Sequence, residues 1–270
     1  MITQTITAKK RAAIRVALLA SVAAAIPAQA RDLPAHNPEP IVGARVTGVI
    51  DGDTVRIGTC ADVRLTGIQA PKLPLGRPGF RAWPLAERAK AVLIRLGEWK
   101  TARLDYRGRK IDRWGRLLAH VYIGDMWLQR EMVRLGIARV YTFANNRARA
   151  ADLYEAERAA RAAQAGIWSL DWYRARRPDE LSDSIGTFQI VEGTPPSSAV
   201  VRGHGFVNFD EDWRTDFTIS ISRSKMRLFR ASGVKIADCE GKRIRVLGWL
   251  VKRNSPMISV SHPEQIEVLE

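Results

Sequence analysis

The pair Asp51-Gly52 sits where the chain must reverse. Residues 44–57 read as two strands joined through this dipeptide, which suits the tight turn of a hairpin. Val63 and Leu65 then alternate with Arg64, placing the arginine on the opposite face of a third strand from the two apolar side chains. A short hairpin is marginal alone and needs further strands or a helix to cover its apolar face.

Those elements follow in order. Leu85, Ala89, Val92, Leu93 and Leu96 recur at helical spacing, and Gly97 is a natural stop. Residues 102–106 and 117–123 fit two more strands, and helices resume over 127–135 and 148–165, the last closed by Gly166. Residues 174–184 are mostly charged or polar, contain Pro178 and lack an apolar period, so a linker is expected over 171–185.

The segments Asp51-Gly52-Asp53-Thr54, Arg64-Leu65-Thr66-Gly67-Ile68-Gln69-Ala70-Pro71-Lys72 and Asp112-Arg113-Trp114-Gly115-Arg116 closely resemble the signature of the staphylococcal nuclease (thermonuclease) family. Gly136-Ile137-Ala138 and Gly166-Ile167-Trp168-Ser169 extend the resemblance, which runs from Val42 to Ser169. It implies a β-rich α+β fold over residues 42–170, a five-strand OB barrel with three helices. It also implies phosphodiester hydrolysis with calcium as cofactor. By the resemblance, Asp53 stands at the first metal carboxylate, and Arg64 and Arg116 at the two phosphate-binding arginines. The second metal carboxylate falls on Gln69 and the general base on Lys72.

These two departures bear on chemistry. Metal-assisted cleavage needs oxygens to hold the ion, cations for the phosphoryl oxygens and a group that orients or deprotonates water. The amide oxygen of Gln69 still ligates a hard cation, but without charge. An ammonium donates and accepts nothing, so Lys72 in place of the base removes the water activator. The expectation is that Lys72 takes the cation's position, pairing with Asp53, and that the pocket grips a phosphate without cutting it. Asp51 and Glu87 are rival sources of a base; Asp51 suits a turn former and Glu87 the exposed first turn of a helix. An active metal-dependent nuclease with a rearranged site therefore stays open as an alternative.

Residues 186–270 are rich in strand patterns. Phe217, Ile219 and Ile221 alternate with Thr218, Ser220 and Ser222, residues 244–251 alternate similarly, and only 225–231 looks helical. The strands at 241–250, 257–260 and 266–268 resemble the end of another, smaller OB barrel. Aromatic and basic residues mix here, Phe206, Phe209, Trp213 and Trp249 with Arg202, Arg214 and Arg245. Such a mixture stacks bases and tracks phosphates, or is a buried aromatic core under a basic surface. Trp249 and Arg245 are the candidates for nucleic-acid contact in this part.

His36, His120, His204 and His262 lack metal-ligand spacing. Cys60 and Cys239 are the only cysteines, and they invite either one disulfide across the two parts or two separate thiols.

Lys9, Lys10, Arg11 and Arg15 precede an apolar run ending at Ile26, and Ala28-Gln29-Ala30 has the form of a cleavage site. Residues 1–30 are expected to be an export signal cleaved near Ala30, leaving a polar arm at 31–41 and a periplasmic or secreted protein. The run is shorter than the roughly 18 residues of a membrane anchor. The formal charge of +15 falls to +11 without residues 1–30, whose four cations meet no acid. Such a charge draws polyanions. Single-stranded nucleic acid is the partner expected, with an envelope protein-interaction module as the third functional class.

Overall fold

The structure is a computed structural model and describes residues 41–210, 212 and 216–269. The export signal, most of the polar arm, His36, Trp213 and Arg214 lie outside the described residues.

The Asp51-Gly52 turn joins β1 (Ala44–Asp51) to β2 (Thr54–Ile57), and β3 (Ala61–Leu65) returns antiparallel to β2. After the short β4 (Gly67–Gln69) comes α1 (Ala86–Gly97), followed by β5 (Thr101–Asp105) and β6 (Leu117–Ile123). The sheet runs β3-β2-β1-β5-β6, and parallel pairing of β3 with β6 closes it into a five-strand barrel. Val46, Val55, Val63, Leu65, Leu104 and Val121 fill it, all fully buried. The two-residue β7 (Met126–Trp127) leads into α2 (Leu128–Arg134), then β8 (Arg139–Tyr141) pairs with β4, and α3 (Ala150–Ala162) packs beside α2.

Gly52 explains why this turn needs glycine. A Cβ there would stand 2.6 Å from the Cβ of Ala70 and 2.7 Å from that of Ala89 on α1, so the turn is wedged under the helix. The three helices and the barrel are those of the expected OB architecture.

A second β domain follows, built on β9 (Phe188–Gly193), β10 (Ser197–Val201), β11 (His204–Asn208), β12 (Thr218–Ile221), β13 (Ile244–Arg253), β14 (Ser255–Val260) and β15 (Ile266–Val268). Its sheet runs β10-β11-β12-β14-β13-β15 with β9 also on β13, and α4 (Arg223–Ala231) covers its inner face through Met226 and Phe229. Residues 171–185 hold short 3₁₀ turns that bury Tyr173 in the first core and Leu181 in the second. Ile190 and Leu247 of the second sheet join the first core. Salt bridges Arg147–Glu264 at 2.9 Å and Arg158–Glu267 at 2.7 Å tie α3 and its approach to the end of the chain. Cys60 is exposed, Cys239 is buried in the second core, and the two are free thiols, so no disulfide joins the parts.

Candidate phosphate site

The hairpin turn places two carboxylates on one side of the barrel. Asp51 Oδ1 accepts from the Asp53 backbone N–H at 3.1 Å, which shapes the turn. It directs Asp53 inward, where its side chain is fully buried and Oδ2 accepts from the Ala70 N–H at 2.8 Å. Lys72, three residues past Gln69, donates to both Asp53 oxygens, at 2.9 and 2.7 Å, and lies 3.6 Å from Asp51.

Arg64 completes the cluster from β3. One guanidinium nitrogen lies 3.2 Å from Asp53 Oδ2, while the group also donates to the backbone carbonyls of Asp53, Leu65 and Ile68. The arginine thus fastens the strand-to-loop corner as well as facing the carboxylate. Burial would raise the Asp53 carboxyl, but Arg64 and Lys72 hold it down to about 2. Burial also raises Asp51, aided by the Asp53 charge and opposed by Lys72 and Arg64. The neighbouring acids are therefore pushed apart, with Asp53 the ionised partner of the two cations.

Gln69 faces elsewhere. Pairing of β4 with β8 sets it directly opposite Arg139, whose Nε and a terminal nitrogen donate to its Oε1 at 3.0 and 2.5 Å. Arg139 is buried, which lowers its pKa to about 10, and it stacks 4.0 Å from the Phe188 ring centroid. Sequence reading missed this residue. The strand carrying it has three residues, too few to show a period, and its partner is 70 positions away.

Arg116 lies near the start of β6, two residues before Leu118, which is the partner of Arg64 in the parallel ladder. That register sets Arg116 level with Asp62, two residues before Arg64 on the neighbouring strand, and its charged partner is Asp112 rather than the Asp53 cluster. Asp112 Oδ1 accepts from the Trp114 and Arg116 backbone N–H groups at 2.8 and 3.0 Å, and Oδ2 from Arg116 Nε at 2.8 Å. Arg116 keeps 30% of its side chain exposed beside Trp114, itself 66% exposed. Glu87 is exposed in the first turn of α1.

In the second domain, Trp249 is half exposed and its Nε1 stands 3.3 Å from the Tyr141 hydroxyl of β8. With Phe143 and Phe188 these rings line a cleft of about 260 Å³. Arg245 lies between Glu192 at 2.6 Å and Glu267 at 2.9 Å and is 13% exposed, so its charge answers those carboxylates and not a surface ligand.

Residues 62–170 match the family model described as staphylococcal nuclease homologue. Those residues, most of the barrel and its helices, are a domain of staphylococcal nuclease type. It is 27% identical over 128 residues to a thermonuclease of Staphylococcus hyicus, covering 46% of this chain and 75% of that protein. Against a thermonuclease of Staphylococcus intermedius the identity is 29% over 126 residues, covering 46% and 74%. Against Endonuclease YncB of Bacillus subtilis it is 27% over 146 residues, covering 52% and 68%. The family resemblance implies calcium, and the donors here do not fit that ion. Both Asp53 oxygens already face Lys72, the Gln69 oxygen is held by Arg139, and the described residues contain no group of three or more His, Cys, Asp or Glu arranged to hold a metal.

Proposed function

We propose that this thermonuclease-like protein is exported and grips single-stranded nucleic acid by its phosphodiesters at the cationic pocket of the barrel, with hydrolysis impaired. The observation that carries this reading is the contact of the Lys72 ammonium with both oxygens of Asp53. A cation supplied by the chain occupies the position of a bound metal and stands where the family keeps its general base. Loss of a general base alone costs about 100- to 10,000-fold in rate. The partly exposed Lys72 and Arg116 offer charge-assisted hydrogen bonds to a phosphate entering beside Trp114. Export rests on the pattern of residues 1–30, and a charge of +11 on the remainder favours an anionic strand.

The relatives named as thermonucleases and an endonuclease favour a second reading, an active metal-dependent nuclease with a rearranged site. Incubation of the purified protein with end-labelled single strands, in calcium or chelator, separates the two. The proposal expects intact strands and salt-sensitive binding in both conditions. It also expects Lys72→Glu combined with Gln69→Asp to release short products in calcium only. Calcium-dependent degradation by the unaltered protein, stopped by Asp53→Ala or Lys72→Ala, sinks it.

A further inference from the structure

A cluster of positive charge without ion-pair partners among the described residues lies far along the chain from the barrel pocket. On α4, Arg223, Arg227 and Arg230 recur at the fourth and seventh positions and so share one stripe of the helix, while Met226 and Phe229 turn inward to the core. Arg202, in the turn between β10 and β11, faces this stripe across a concavity of about 480 Å³ that also includes Gly203. Gly203 permits the approach: a Cβ there would lie 3.1 Å from Cγ of Arg223. All four arginines are exposed, and among the described residues none forms an ion pair. Elsewhere in this domain Arg243 and Arg245 each meet a carboxylate. Four like charges around one hollow repel one another unless an anion sits among them.

The strand leaving that turn carries aromatic side chains on its other face. Gly205 and Val207 of β11 are buried, so His204 and Phe206 point outward, and their rings stack at 6.5 Å with 23° between planes. Phe206 is opposite Ser220 of β12, whose hydroxyl lies 3.1 Å from that of Ser259 on β14. A Cβ on Gly205 would meet Met226 of α4 at 2.9 Å, so these rings and hydroxyls stand on the opposite side of β11 from the helix, and the hollow is lined by Arg202, Gly203 and the arginine stripe alone. Guanidinium forks hold phosphate oxygens in pairs.

We propose that this hollow of the second domain is a separate binding site for single-stranded nucleic acid, with its phosphates held by Arg202, Arg223, Arg227 and Arg230. A lipid surface is the weaker occupant, because the cations line a hollow that a bilayer cannot enter and a flexible strand can. The site does not depend on the barrel pocket.

The test compares the whole purified chain with Arg227→Gln/Arg230→Gln by fluorescence anisotropy on a labelled 25-nucleotide single strand across a salt series. Both altered side chains are exposed, and unchanged thermal unfolding confirms that the variant is folded. The expected result is about tenfold weaker binding, with the slope of log affinity against log salt shallower by about 1.4, two phosphate contacts at about 0.7 each. Arg227→Lys/Arg230→Lys keeps most of the salt slope. Unchanged affinity and slope in the folded Gln variant overturn the proposal. So does the loss of binding to phosphatidylglycerol vesicles alone, which assigns the patch to lipid, Val200 and Val201 being exposed beside it. The barrel reading fails separately, as unchanged binding in Lys72→Gln/Arg116→Gln with the arginine stripe intact.

Discussion

Lys72 keeps a fully buried carboxylate charged, and the stability of the turn depends on that. Removing the ammonium leaves Asp53 with Arg64 and beside Asp51. Breaking a fully buried pair costs roughly 3–5 kcal/mol; the partial exposure of Lys72 and the remaining arginine bring the expected cost of Lys72→Met to about 2 kcal/mol at pH 7. Its pH dependence has a defined direction. The Asp53 pKa in the fold is about 2 against an ordinary 3.8, so its contribution is fully present above 3.8 and is lost as the pH falls through about 2. Urea unfolding of both forms from pH 7 to pH 2 should show a gap that narrows at the acid end. Equal stability at pH 7 would remove the ion pair from the account of this site.

At the scale of elements, the turn under α1 makes the sharpest demand. Gly52→Ala forces a methyl between Ala70 and Ala89 at 2.6 and 2.7 Å, and overpacking of this kind costs about 1–3 kcal/mol. Denaturant unfolding should show that loss, and an unchanged midpoint would mean that the turn lifts freely from the helix. The need for a turn here was legible because Asp51-Gly52 is a local signal. The strands around it and the helix carrying Ala89 and Leu93 were equally legible, since apolar alternation or helical spacing runs through each. What sequence could not display is contact between short pieces far apart. Pairing of β4 with β8 turns the Gln69 oxygen to Arg139, and no local period marks either strand. Arg245 shows the same limit, because a basic residue on a strand looks like a surface cation until Glu192 and Glu267 are placed beside it.

Across the whole molecule, a buried histidine sits where the two cores meet. His262 is 1% exposed, with Nε2 2.8 Å from the Thr142 hydroxyl and Nδ1 2.8 Å from that of Ser261. Burial first, then Arg147 and Lys225, lower its pKa from 6.5 to about 4. Nearby, the Tyr154 hydroxyl donates to the Glu264 carbonyl, and Arg147 pairs with Glu264, so a charge on His262 would arise among groups that fix β15 and its approach to α3. Because the folded value lies below the unfolded one, the unfolded chain takes up the proton first. Stability is then whole above pH 6.5, declines between 6.5 and 4, and stays level below that as far as this residue is concerned. The shift corresponds to roughly 3 kcal/mol. His120, buried against Trp127 and likewise lowered to about 4, adds a similar loss in the same window from inside the barrel. A single unfolding curve therefore cannot apportion the two, but His262→Gln can: the amide retains polar contacts at the junction and does not titrate. Urea midpoints at pH 7 and pH 4.5 should differ by about half as much in His262→Gln as in the unaltered protein. An undiminished difference would place the acid sensitivity in the barrel and leave the junction between the cores indifferent to protons.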